Sequence, residues 1–421
     1  MNWKPSRVFY GWWIVGAAFI ITLFIAGSMF QSFTAFFEPI ANEFGWSYAE
    51  VSLGFSLRSM IMGILAPIVG ILVDRLGSRR LILFGAIITA SSIFLLSRIN
   101  SLEMFYISYL LMAVGLSCCT LTVLMTAIAN WFHSKVGLAS GIVTCGSGFS
   151  GLMIPVVVSL IDSYGWRTCL VLLAVVMLAL LLPLSFIFRH KPEQYGSLPD
   201  GATGKAGNHD IEPDPTYIDN AKPSMKGLLS SSPFWHLAIS FTFFHMVMIS
   251  VVAHIMPYLS SINMTRANSS IIATIIPLMS IIGSLGLGRL GDKIDRKKVT
   301  ASTYAMACIG LFCLALASII GPWALVPFLL FYGIGHGGSN AMRPSLTSDV
   351  FGRGNFGKIF GLMVGINSLI SSVGPLIAGW AYDSWGSYQN IWFIFAGLIL
   401  ISFFSVLTIP KTGLEPARLN K

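Results

Sequence analysis

A chain of 421 residues that is 55% hydrophobic and only 10% charged is not a soluble domain, in which about a quarter of residues are charged. The net charge of +9 does not indicate nucleic acid, because the cations sit between apolar runs near the length that spans a bilayer as a helix. A polytopic membrane protein is expected.

The first apolar run starts near Val8. It exceeds a signal-peptide core and no small-residue cleavage site follows, so a retained helix is expected. Twelve spans follow from the apolar pattern: 8–36, 48–73, 80–98, 104–130, 136–161, 168–188, 233–258, 268–290, 299–320, 323–347, 357–381 and 389–410. Prolines inside them are tolerable where neighbouring helices satisfy the freed backbone groups. The six cysteines all fall in apolar segments without metal-ligand spacing, so buried packing is expected and no metal or cofactor.

Residues 70–80 read Gly-Ile-Leu-Val-Asp-Arg-Leu-Gly-Ser-Arg-Arg. Three arginines do not sit in hydrocarbon cheaply, so this is a water-facing turn between two membrane helices. The pattern returns at 288–298 as Gly-Arg-Leu-Gly-Asp-Lys-Ile-Asp-Arg-Lys-Lys. Gly70 matches Gly288, Asp74 matches Asp292, Arg75 matches Lys293 and Arg80 matches Lys298, at a constant offset of 218. A second stretch repeats too. Trp131-Phe132, Gly141, Pro155 and Asp162 are echoed by Val350-Phe351, Gly361, Pro375 and Asp383, at offsets of 219 to 221.

Between the sixth and seventh spans the chain is rich in Pro, Gly, Asp, Lys and Ser and cannot bury a core. The expected organisation is therefore a six-helix half over 1–189, a cytoplasmic linker over 190–230 and a second half over 231–421. Parallel six-helix repeats are a recognised transporter plan. Of 26 Lys and Arg, 21 lie in the termini and alternate loops, while the opposite loops hold Arg98, Arg167 and Arg266. The positive-inside rule then puts both termini in the cytoplasm, in a multi-pass protein of the cell (inner) membrane.

These motifs carry a resemblance. The Gly70–Arg80 pattern resembles the signature loop of the major facilitator superfamily, with Asp295 in the second copy where Gly77 stands in the first. Trp131-Phe132-x-x-Lys135-x-x-Leu138-Ala139-x-Gly141 is similar to the fifth-helix entry of its monocarboxylate transporter and oxalate/formate antiporter branch. The stretch from His336-Gly337-Gly338-Ser339 through Pro344-Ser345 to Asp349 and Gly352 is similar to the tenth-helix exit of the oxalate/formate antiporters. The resemblance implies the major facilitator fold, an all-α membrane protein of twelve helices. It also implies alternating access, with the first, fourth, seventh and tenth helices lining a central site. Ser284 and Met363 stand where oxalate exchangers carry an intramembrane arginine and lysine, which argues against oxalate itself. By the same resemblance, Gly70, Asp74, Arg75, Arg79, Arg80, Gly288, Asp292, Lys293 and Lys298 form conformational latches. Asp74 would cap the N-terminus of the eleventh helix and Asp292 that of the fifth, since a carboxylate there meets free N–H groups and the helix dipole.

All 17 acids lie in loops, termini or helix ends. No buried carboxylate offers itself to an organic cation, which favours an anionic or neutral substrate. The deep basic and polar residues are the substrate-binding candidates. Arg58 ranks first for its depth, since a mid-bilayer arginine is costly without a role, and Arg343 second. His336 and His245 could hold a carboxylate or carry a proton. Asn340 and Asn367 follow, although buried asparagines commonly just join neighbouring helices. No nucleophile elbow, zinc motif or phosphate loop occurs, so neither an enzyme nor an ATP-driven pump is expected. The expected function is gradient-driven transport of a small carboxylate, a monocarboxylate, with protons as candidate coupling ions. A monomer in a lipid bilayer is expected. A carrier for a neutral or amphipathic solute and a non-transporting receptor on the same scaffold stay open as alternatives.

Overall fold

The structure, a computed structural model, describes residues 9–132, 135–189, 230–352 and 356–410. Apolar runs form helices here because hydrocarbon offers no partner to a free N–H or C=O. In chain order they are α1 Gly11–Phe44, α2 Tyr48–Leu76, α3 Ser78–Leu96, α4 Leu102–Trp131, α5 Val136–Tyr164 and α6 Trp166–Ile187. Then come α7 Ser232–Ser261, α8 Arg266–Gly291, α9 Arg296–Ile320 and α10 Leu325–Phe351. Last are α11, which is Phe356–Ser371 continued by Val373–Trp385, and α12 Gln389–Leu407. Eleven of these are long and apolar enough to cross a membrane. α10 is the twelfth, diluted by glycines, His336, Asn340 and Arg343. The linker expected over 190–230 lies outside the described residues apart from Ser230, and so do both chain ends.

The helices depart from the expected spans in ways with physical causes. α1 runs on to Phe44 rather than stopping near 36, past Pro39, and ends at a left-handed Gly45. Phe37, Ile40 and Ala41 are buried along this extension, and their packing outweighs the bond that proline removes. Ala26–Gln31 is wound as a π-helix. α4 is interrupted after Ser117 and resumes at Leu121, where the Thr120 hydroxyl donates to the Ser117 carbonyl in competition with the helical bond. α11 breaks at Ser372, one turn before Pro375, whose missing N–H frees the Ser371 carbonyl.

Helices α1–α6 pack mainly on one another, and α7–α12 do the same. Across the middle, α2 crosses α11, α5 crosses α8, and α1 meets α7. Small residues make these crossings close: Gly379 abuts Tyr48 and Ser52, and Gly151 abuts Thr274 and Pro277. The Thr274 hydroxyl donates to the Gly151 carbonyl at 3.0 Å. All these contacts lie toward the end where α2 begins and α11 finishes. Toward the other end Gly70, Gly141 and Gly361 face open space. The two sets of helices therefore meet at one end and splay at the end that carries the 70–80 and 288–298 loops.

Candidate substrate site

Arg58 is 1% exposed and held within the first six helices. Its Nη1 donates to the Met29 carbonyl at 2.6 Å, on the π-helical segment of α1. The guanidinium lies 4.6 Å from the Phe30 ring, 4.5 Å from Phe55 and 5.9 Å from Tyr109, so aromatic faces stand in for a counter-ion. Its Nε and Nη2 have no partner among the described residues.

The remaining basic candidates gather on α7 and α10. His336, Asn340 and Arg343 fall on successive turns of one face of α10. The Asn340 amide donates to His336 Nε2 at 3.1 Å. That leaves the proton of a neutral His336 ring on Nδ1, which has no partner among the described residues. His245 on α7 pairs its Nδ1 with the Ser371 hydroxyl at 2.9 Å, and both Arg343 and His336 are near enough to act on it electrostatically. Arg343 lies 5.8 Å from the Phe241 ring and 5.7 Å from Phe244. Tyr304 stacks on Phe244 at 4.7 Å and accepts a hydrogen bond from the Ser240 hydroxyl. Arg343 Nε and Nη2 have no partner among the described residues, and neither does Oδ1 of the buried Asn367. Among the described residues, no carboxylate forms an ion pair with Arg343. The half-buried Arg343 and His336 thus present N–H groups without an acceptor among the described residues.

His254 is different. It is fully buried; Nε2 donates to the Pro375 carbonyl at 2.9 Å and reaches the Ser52 hydroxyl at 3.1 Å. Its Nδ1 pairs with the Tyr388 hydroxyl at 2.9 Å. Both ring nitrogens are satisfied, and nothing is left to offer a ligand.

The start of α11, where the expected partner of Asp74 lies, falls outside the described residues. Among the described residues, a Cβ on Gly70 would meet nothing, and one on Gly288 would meet Ala341 alone. Asp74, Arg75, Arg80, Lys293 and Lys298 are exposed, and Arg79 lies over the Phe186 ring at 4.5 Å. Asp74 has no hydrogen bond or ion pair among the described residues, while Asp292 is 3.7 Å from Arg296 beside it. The N-terminus of α5 carries no side-chain cap. The closed end has its own polar contacts. Asp383 accepts the Tyr48 and Ala49 N–H groups at 2.9 and 2.8 Å, and Arg266 pairs with Asp162 at 2.9 Å. The Met256 N–H donates to the Thr34 hydroxyl at 3.0 Å. Sequence reasoning used Asp162 and Asp383 only as markers of the repeat. The same repeat sets Tyr48 and Arg266 218 residues apart, a signal that could have paired them.

The Major Facilitator Superfamily model matches residues 19–341 and 242–420. Monocarboxylate transporter 12-B of Danio rerio is 28% identical over 413 residues, covering 93% of this chain and 85% of that protein. The oxalate:formate antiporter of Oxalobacter formigenes is 23% identical, covering 96% and 92%. Among solved structures, a D-xylose-proton symporter superposes with a TM-score of 0.74 at 17% identity, covering 96% of this chain and 99% of that one. An inward-facing, unoccupied bacterial homologue of the human lysosomal transporter Spinster gives 0.71 at 14% identity, covering 96% and 95%.

Proposed function

The chain belongs to the major facilitator superfamily, and on that premise we propose that it carries a small organic anion, a monocarboxylate, by alternating access, as a proton-coupled symporter or an anion exchanger. It is a multi-pass membrane transporter, homologous to the monocarboxylate transporters and the oxalate:formate antiporter. Its relatives are transporters rather than enzymes.

One observation carries the choice of an anion. Among the described residues, Arg343 and His336 hold unpartnered N–H groups inside the membrane with no carboxylate to meet them. An unpaired buried cation is costly, and an anionic substrate supplies the missing acceptor. A carboxylate has two oxygens, which match the fork of a guanidinium. Arg343 is the anchor in this proposal, with the His336 Nδ1–H as a second donor. His245, Asn340 and Asn367 line the same region. Arg58 is better suited to hold the π-helical turn of α1, because it is enclosed by aromatic rings and bonded to Met29. The relatives' names support a monocarboxylate over a larger solute.

With the positive-inside rule, the splayed end is cytoplasmic and the conformation is inward-facing. In this proposal the Asp74 and Asp292 latches close the cytoplasmic end in the opposite state. A thermal-shift panel on purified protein tests the substrate class. Mono- and dicarboxylates should include a stabilising ligand, and their amides and alcohols should not. Stabilisation by neutral analogues as large as that by the acids would overturn the anion reading.

A further inference from the structure

We propose that Asp162 and Asp383 are outer latches, the reciprocal counterparts of Asp74 and Asp292, and that together the four carboxylates set the balance between inward- and outward-facing states. The proposal rests on the alternating-access reading but not on the substrate.

The geometry of the closed end supports it. Asp383 sits near the end of α11, in the second half, and both its oxygens take N–H groups from the first turn of α2, in the first half. The next N–H, that of Glu50, goes to the Ser47 hydroxyl within a capping box. Asp383 thus satisfies the two N-terminal donors of α2 that its own half leaves bare. At the symmetry-related place, Asp162 at the end of α5 takes Arg266, the first residue of α8. Tyr48 and Arg266 are 218 residues apart and Asp162 and Asp383 are 221 apart, so the two contacts occupy matching places in the repeat, one made to backbone N–H groups and the other to a side chain.

Arg266 makes a further bond, to the Ala35 carbonyl at 3.2 Å. That carbonyl is free because Pro39, four residues on, has no N–H to give it. A proline in one half therefore creates an acceptor that a residue of the other half uses.

The reciprocity lies in which helix holds the carboxylate. On the α2/α11 crossing, Asp383 on α11 grips the start of α2. Asp74, at the other end of α2, would grip the start of α11 by the resemblance to the signature loop. The α5/α8 crossing repeats this with Asp162 and Asp292. Rocking the halves breaks one carboxylate's contact as it makes the other's, so each crossing is bonded in both end states and unbonded only between them. The two outer contacts are unequal. Asp383 forms two charge-assisted bonds to backbone N–H groups at a helix start, whereas Asp162 takes a single bond from the Arg266 side chain. Asp383 should dominate.

Distances between spin labels in lipid nanodiscs, without substrate, test this on the full chain with its six cysteines replaced. One pair, at Leu76 and Leu290, reports the inner opening, and the other, at Asn100 and Trp323, reports the outer one. Asp383→Ala should raise the outward-facing share about fivefold, the order of one lost helix cap. Asp383→Asn keeps one acceptor oxygen and the fold's shape, and should shift the balance the same way by less. Asp162→Ala should shift it least. Asp74→Ala should act in the opposite direction, and Asp74→Ala with Asp383→Ala should return the balance toward wild type. If Asp74→Ala moves the distances while Asp383→Ala and Asp383→Asn leave them as in wild type, there is no outer latch. If no variant moves them, and wild type shows one state in all conditions, the alternating-access reading fails with it.

Discussion

Arg58 donates to the carbonyl of Met29 at 2.6 Å, joining the middle of α2 to the π-helical turn of α1. This bond and three aromatic faces enclose a cation with no acid beside it. Arg58→Gln removes the charge, the bond and the ring contacts together. It should lower stability by about 2–3 kcal/mol, read as a drop in melting temperature in detergent. The fraction that stays folded should keep its substrate affinity. An unchanged melting temperature with lost binding would return Arg58 to the substrate site.

The two histidine sites differ in what they leave open. His336 has a free Nδ1–H, and His254 has none. His336→Gln should flatten the pH dependence of uptake by reconstituted protein more than His254→Gln does. His254→Gln should instead reduce stability by about 1–3 kcal/mol, by leaving buried partners unmet. Identical pH profiles for both variants would mean that neither histidine carries the proton.

Close approach at the α2/α11 crossing depends on the missing side chain of Gly379. A Cβ there would come within 2.6 Å of the Tyr48 carbonyl and the Ser52 hydroxyl, closer than real contacts allow. Gly379→Val should force the outer ends apart, and exchange by reconstituted protein should fall about tenfold or more, an order-of-magnitude expectation for overpacking of 1–3 kcal/mol. Wild-type exchange would mean that the closed outer end is not part of the cycle.

Asp74 is exposed and makes no hydrogen bond or ion pair among the described residues, so Asp74→Asn should leave folding intact. Turnover should fall several-fold, because the outward-facing state loses a charge–dipole contact of roughly 0.3–2 kcal/mol. Normal exchange by reconstituted Asp74→Asn would remove the inner latch.

Much of this architecture could be read from residue order alone, because a bilayer leaves a helix few alternatives. The twelve segments, the repeated loops and the lack of an acid in the middle of any span are all one-dimensional facts. The length of α1 was not legible. Glu38-Pro39 looks like a stop, and only the burial of Phe37, Ile40 and Ala41 overrides it. The environment of Arg58 was hidden for the same reason, since Met29 and Tyr109 come from helices on either side of it in the sequence. Arg343 and His336 could be named from their depth. That they lie near His245, and that their N–H groups are unmet, needs three dimensions. Asp162 and Asp383 were visible as repeated letters, but their partners across the halves were not.

The account turns on Arg343 as the group that accepts a carboxylate. Its most direct test is the affinity of Arg343→Gln, beside wild type and Arg58→Gln, for whichever carboxylate stabilises the purified protein. Arg343→Gln should lose about 2–5 kcal/mol of binding, the range for truncating one partner of a buried charge pair, while its melting temperature without ligand stays near that of wild type. Arg343→Lys should recover little, because a single ammonium lacks the two-pronged fit. Wild-type carboxylate affinity in Arg343→Gln would contradict the account.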